Sequence, residues 1–198
     1  MRTMSMMALG TLVFALGGCA AHEGARPETV RTGVISRGGK PLTLEGSPAR
    51  VGERAPEFTA VANDMADKKL SDWAGKVVIL STVPSLDTPV CDKETRQFNE
   101  RASGLGDGAV VLTVSMDLPF AQKRWCGAAG VDRVVTLSDS KLREVGSRYG
   151  LRIRENGLLA RAVTVIDAKG VIRYQQIVPD IAQEPDYDAA IAAAKAAR

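Results

Sequence analysis

Four side chains in this 198-residue sequence could begin covalent chemistry: the thiols of Cys19, Cys91 and Cys126 and the single imidazole of His22. A thiolate is a potent nucleophile and metal ligand, and how readily it forms depends on its surroundings. His22 lies near the N-terminus, outside the hydrophobic body of the chain, which argues against a Cys–His nucleophilic pair. It argues equally against a four-ligand Cys/His zinc site, since beyond the N-terminal segment that carries Cys19 and His22 the chain offers two thiols and no imidazole. No metal or other cofactor is expected. A disulfide reductase of the C-x-x-C type is disfavoured because Thr88 stands where the first thiol would be. Cys91 and Cys126 are left for one another, as a fixed structural bridge or as a pair that cycles.

The surroundings of Cys91 favour reactivity. Val77 to Val83 (VVILSTV) is a continuous, uncharged and mostly apolar run rich in β-branched residues, which predicts a strand buried on both faces. Pro89 to Ser103 predicts a helix. Between them runs Pro84-Ser85-Leu86-Asp87-Thr88-Pro89-Val90-Cys91. With Thr88 as N-cap, Pro89 occupies N1, where its missing N–H costs nothing, and Cys91 falls at N3. Unpaired backbone N–H groups and the positive end of the helix dipole favour a thiolate in that turn. The plainer alternative is an inert buried cysteine, a common fate of a lone thiol.

The remaining elements follow from hydrophobic period and turn signals. Val34-Ile35 and Pro41 to Leu44 around Gly38-Gly39 predict an N-terminal β-hairpin, with irregular chain through Pro56. Further strands are predicted at Val110 to Met116, Val134 to Leu137, Ala162 to Asp167 and Val171 to Val178. Helices are predicted at Pro119 to Cys126, Lys141 to Tyr149 and Tyr187 to Arg198. Strands alternating with helices, then a hairpin and a closing helix, argue for an α/β fold. Its mixed central sheet would be flanked by helices, in the order of a thioredoxin-like fold.

Composition bounds the function. The chain is 45% hydrophobic and 25% charged with net charge +3, the profile of one ordinary globular domain. Lys68-Lys69 and Lys123-Arg124 are isolated pairs, so no nucleic-acid partner is expected.

The N-terminus differs in character. Met1-Arg2 precedes the uncharged apolar run Met4 to Leu16, which is shorter than the ~20 residues a membrane span needs and suits a signal segment. The run ends in Leu16-Gly17-Gly18-Cys19-Ala20, which resembles a bacterial lipobox, whose cysteine is lipidated and becomes the mature N-terminus. The expected organisation is a signal peptide over 1–18, a lipidated Cys19 and flexible tether over 19–32, and a folded domain over 33–198. A lipid on Cys19 would anchor the domain to a bacterial membrane on its extracytoplasmic side, with a tether reach on the order of 20 Å. It would also explain an odd cysteine count in an exported protein.

Pro84 to Cys91 reproduces in full the pattern Pro-x-x-x-Thr-x-x-Cys, and the sequence resembles the thiol peroxidase branch of the peroxiredoxins. Asp117 to Gly127 (DLPFAQKRWCG) is similar to that branch's resolving-cysteine segment, Leu159 to Val163 (LARAV) to its active-site arginine segment, and Ile181 to Tyr187 (IAQEPDY) to its C-terminal signature. Four motifs in order span residues 33 to 198. Trp125 and Ala129 depart from the residues the branch often carries, and Leu151 to Leu158 is a shorter loop.

The resemblance implies a thioredoxin-like fold and a hydroperoxide substrate. Cys91 would be oxidised to a sulfenic acid, Thr88 would hydrogen-bond beside it, Arg161 would stabilise its charge and Pro84 would shield it from water. Cys126 would resolve the product as an intrachain disulfide, reset by a thioredoxin-like reductant, in a homodimer. Taken singly, Thr88 could be only a helix cap, Arg161 a surface cation and Cys126 a structural partner. Two other functions stay open on the same residues: a peroxide-sensing redox relay and a non-catalytic lipoprotein with a permanent bridge.

Overall fold

The computed structural model describes residues 28–198. The expected signal segment, Cys19 and the tether through residue 27 lie outside the described residues. The strands β1 (Thr29–Arg37) and β2 (Lys40–Gly46) form the expected antiparallel hairpin. Gly38 and Gly39 turn it at φ 57° and 78°, a region that side-chain-bearing residues avoid. β1 starts ahead of residue 33, because Thr29 to Thr32 already pair with Gly46 to Thr43.

The chain continues through β3 (Thr59–Ala62), β4 (Asp67–Lys69), β5 (Val77–Thr82), α1 (Pro89–Ala102), β6 (Ala109–Ser115) and α2 (Pro119–Ala129). It closes with β7 (Val134–Ser138), α3 (Glu144–Arg148), β8 (Arg152–Ile153), β9 (Ala162–Ile166), β10 (Ile172–Ile177) and α4 (Tyr187–Ala196). Seven strands make one mixed sheet in the order β10-β9-β5-β6-β7-β3-β4, and β8 joins the hairpin in a smaller sheet. β5, β6 and β7 run parallel, while β9 lies antiparallel to β5.

Alternation along β5 explains its mostly apolar run. Val77 and Ile79 pack with Phe98 of α1 and Ala190 and Ala194 of α4. Val78 and Leu80 pack on the opposite face with Val145 of α3, Tyr149, Leu44 and Ile35. A strand covered on both faces has no polar side, as its sequence predicts.

Two departures have physical causes. β3, β4 and β8 are too short and too mixed in character to give a period-2 signal. α3 begins at Glu144 rather than Lys141, because Arg143 takes a left-handed φ of 56°. The buried Asp139 carboxylate then accepts the Val145 and Gly146 N–H groups at 3.1 and 2.9 Å, filling donors that a helix start leaves open. No helix among the described residues is long and apolar enough to cross a membrane.

Candidate active site

Strand register brings the sequence-predicted residues together. Thr82 pairs with Ala162, so the residue before β9, Arg161, sits beside the end of β5 where the Pro84–Cys91 segment leaves the sheet. Ligand and active sites favour this carboxyl end of parallel strands. Asp117, which follows the adjacent β6, braces the segment. Its carboxylate accepts Ser85 Oγ at 2.7 Å and the Leu86 N–H at 2.8 Å.

Cys91 occupies the first turn of α1 with Thr88 as N-cap residue and Pro89 at its start. Its thiol is free and fully buried, packed with Val83 and Leu86 and flanked by Trp125. Arg161 Nη2 donates to Cys91 Sγ at 3.3 Å. A cation donating to sulfur in a site closed to water stabilises the charge a nucleophilic thiolate carries.

Arg161 is 1% exposed, which removes the reading of it as a surface cation. Three groups fix it. Its Nη1 pairs with the buried Glu94 carboxylate. Its Nε and Nη2 donate to the Ile181 carbonyl at 3.1 and 2.9 Å. Ser81 Oγ in turn donates to Glu94 at 2.7 Å. Burial works against the guanidinium charge, but Glu94 and then Cys91 outweigh it, and the Arg161 pKa is raised. Burial first, and then the charge of Glu184, raise the Glu94 pKa, with Arg161 and Ser81 pulling the other way.

Pro84 is buried and Thr88 exposed. The Thr88 hydroxyl does not cap α1. It donates to the Ser85 carbonyl at 2.8 Å, closing the turn before the helix and leaving its lone pairs available at the entrance.

Cys126 lies elsewhere, half-buried on α2 with a free thiol. Its Sγ is 3.3 Å from Thr136 Oγ1 on β7, and Asn63 Nδ2 approaches it at 3.7 Å. Asn63 also donates to Thr136 Oγ1 at 2.8 Å, so the threonine O–H is free to point at the sulfur. The two thiols are therefore held by separate sets of partners.

Sequence reasoning missed Glu94, Ser81 and the Ile181 carbonyl. Glu94 was within reach, since it lies three residues after Cys91 and shares its helix face. The partners of Arg161 from β5 and the C-terminal segment carry no local signal. The segment Ile181 to Tyr187 is pinned to α1 by Lys93 Nζ on Glu184 at 2.6 Å and by the edge contact of Tyr187 with Phe98.

Residues 50–191 match the Redoxin family model. The chain is 53% identical over 159 residues to a thiol peroxidase of Halalkalibacterium halodurans, covering 80% of this chain and 95% of that protein. It is 49% identical to the thiol peroxidase of Bacillus subtilis, covering 80% and 94%. A crystal structure of a peroxiredoxin-like protein from Aquifex aeolicus superposes with TM-score 0.79 at 43% identity, covering 85% of this chain and 98% of that one. A thiol peroxidase structure from Chromobacterium violaceum shares the fold with TM-score 0.72 at 22% identity, covering 78% and 91%. By sequence and fold, this chain belongs to the redoxin family, in its thiol peroxidase subfamily.

Proposed function

We propose that this chain is a thiol-dependent peroxidase in which Cys91 is the nucleophile and Cys126 the resolving thiol. The observation that carries the reading is the buried Arg161 guanidinium donating to Cys91 Sγ while Glu94 and the Ile181 carbonyl hold it in place. The Cys91 thiolate attacks the distal oxygen of a hydroperoxide. The O–O bond breaks, the alkoxide leaves and takes a proton, and sulfur is oxidised to the sulfenic acid. Arg161 is preorganised to stabilise the charge that passes from sulfur to oxygen. The Thr88 hydroxyl is free to accept and reorient toward the incoming peroxide, and Pro84 screens the sulfur from water.

Cys126 then condenses with the sulfenic acid, releasing water and forming an intrachain disulfide, which protects Cys91 from further oxidation. A dithiol reductant of thioredoxin type, located outside the cytoplasm, returns both thiols by disulfide exchange. We further propose a homodimer, for which the exposed Leu118 and Phe120 offer apolar surface, and a lipid anchor on Cys19 that places the domain at a bacterial membrane. Anchoring beside a bilayer favours lipid and alkyl hydroperoxides over hydrogen peroxide as substrates.

Steady-state turnover tests the activity. The full chain, a thioredoxin, its reductase and cumene hydroperoxide are expected to consume reductant at a rate set by protein concentration, and Cys91→Ser is expected to abolish it. Turnover retained in Cys91→Ser would overturn the assignment. Slower turnover of organic hydroperoxides than of hydrogen peroxide would overturn the substrate preference alone.

A further inference from the structure

α1 and α2 meet through polar contacts that the peroxide step does not use. Asp92, next to Cys91, accepts the Trp125 indole N–H at 3.0 Å. It also pairs with Arg96 one turn further along, at 3.0 and 3.2 Å from Nε. Arg96 Nη1 donates to the carbonyl of Ala129, the last residue of α2, at 2.7 Å, and its guanidinium lies 5.8 Å from the Trp125 ring centre. Asp92 and Arg96, at i,i+4 on α1, thus grip Trp125 and Ala129, at i,i+4 on α2. The two grips fall on either side of Cys126.

What they grip is a weak turn. Gly127 sits inside α2, where glycine costs about 1 kcal/mol relative to alanine. The helix ends at Gly130 in a left-handed conformation, and Gly127 and Ala128 are exposed. The Ala129 carbonyl belongs to the last helical turn, whose acceptors have no partner within the helix. For a disulfide, Cys126 Sγ must leave Thr136 and come within about 2 Å of Cys91 Sγ, while Trp125 stands against the Cys91 cluster.

We infer that Asp92 and Arg96 are positioning residues for the resolving step: they clamp the last turn of α2 shut, and release of Trp125 and Ala129 gates the approach of Cys126 to the Cys91 sulfenic acid. This rests on the resolving role proposed above for Cys126. While the clamp holds, the sulfenic acid persists and a second hydroperoxide can compete with Cys126. That reaction oxidises the sulfenate to a sulfinate and releases an alcohol or water, whereas resolution yields the disulfide and water. The clamp therefore sets the partition between recycling and over-oxidation.

The test uses the reduced full chain mixed with hydrogen peroxide and quenched in acid, with disulfide and sulfinate at Cys91 quantified by peptide mass. Trp125→Phe keeps the ring and removes the donor. Arg96→Met keeps the aliphatic stem and removes the bond to Ala129. Asp92→Asn keeps an acceptor for the indole and loses the charge. Loss of a charge-assisted contact is expected to speed disulfide formation about fivefold in Trp125→Phe and Arg96→Met, and less in Asp92→Asn. The sulfinate yield should fall in parallel, while Arg96→Met consumes peroxide at the wild-type rate. A merely structural role would lower thermal stability without moving the ratio of disulfide to sulfinate. Unchanged disulfide rates and sulfinate yields in Trp125→Phe and Arg96→Met would overturn the clamp. A wild type that forms no Cys91–Cys126 disulfide would overturn the resolving role and the clamp together.

Discussion

The two cysteines of the folded domain sit in environments built on opposite plans. Cys91 is sealed in the first turn of α1, between the end of β5 and an arginine whose donors are taken up by a carboxylate, a carbonyl and the sulfur itself. Cys126 rides half-exposed on a glycine-weakened turn, held by one threonine and one asparagine. Fixed charge suits a step whose transition state develops charge at a known place. Loose attachment suits a residue that must travel. On the roles proposed for them, the peroxide step at Cys91 relies on preorganisation, whereas resolution by Cys126 would rely on local opening with a free energy well below that of global unfolding.

Arg161→Met should show the largest effect. It removes a preorganised donor at the reacting sulfur, and the rate constant of Cys91 with peroxide should fall by about 100- to 1000-fold, read by stopped-flow or competition kinetics. It also leaves Glu94 buried without its charge partner, with only the Ser81 hydroxyl donating to it, so unfolding should become easier by about 3–5 kcal/mol. Glu94→Gln separates the two consequences. It keeps a hydrogen-bond partner for Arg161, so stability should fall less and the peroxide rate only modestly. An equal peroxide rate in Arg161→Met would erase the contrast between the two environments.

Asp139, which anchors α3 beneath the same sheet end, offers a pH-dependent test that touches neither sulfur. Burial pushes its carboxyl from 3.8 up to about 6, against the N–H groups of Gly146, Val145 and Glu144. The folded state then holds the proton more tightly than the unfolded chain. Its contribution to stability is fully present below the ordinary value and is lost as pH rises through about 6. For this group alone the loss is roughly 2–3 kcal/mol. Urea unfolding of wild type and Asp139→Asn from pH 4 to 7.5 should show the slope in the difference between them, and parallel curves would contradict it.

The smallest effect is expected at the second sulfur. Thr136→Val frees Cys126 from its hydroxyl partner without altering α1. Disulfide formation should quicken about two- to threefold, as fits one neutral hydrogen bond, with the peroxide step unmoved. A slowed peroxide step would mean that the two environments are coupled more tightly than their separate partners suggest.

How much of this was legible in the sequence follows the same division. The buried strand, the helix start at Pro89 and the place of Cys91 in its first turn all depend on local signals, and they lie where the sequence puts them. Thr88 is the N-cap residue, but its hydroxyl serves Ser85 rather than the helix, a choice between two neighbouring acceptors and donors that sequence does not decide. Arg161 is singled out only by the resemblance of Leu159 to Val163; by residue chemistry alone it is one cation among many until the β5–β9 register buries it. Glu94 could have been found from its spacing to Cys91. Ser81 and the Ile181 carbonyl could not, because they meet Arg161 only through pairing of distant segments. The clamp from Asp92 and Arg96 to α2 is likewise a tertiary feature, although the i,i+4 spacing of that pair was visible on α1.

The roles of the two sulfurs are separated by a single-turnover experiment. The reduced chain carrying Cys19→Ser, which leaves two thiols, is treated with one equivalent of cumene hydroperoxide, and intact mass and free thiols are followed. Loss of both thiols is expected in that protein, with an accumulating sulfenic acid when Cys126→Ser is added and no fast reaction when Cys91→Ser is added. A Cys91→Ser protein that reacts as fast as its parent would contradict those roles and leave the two cysteines as a structural pair.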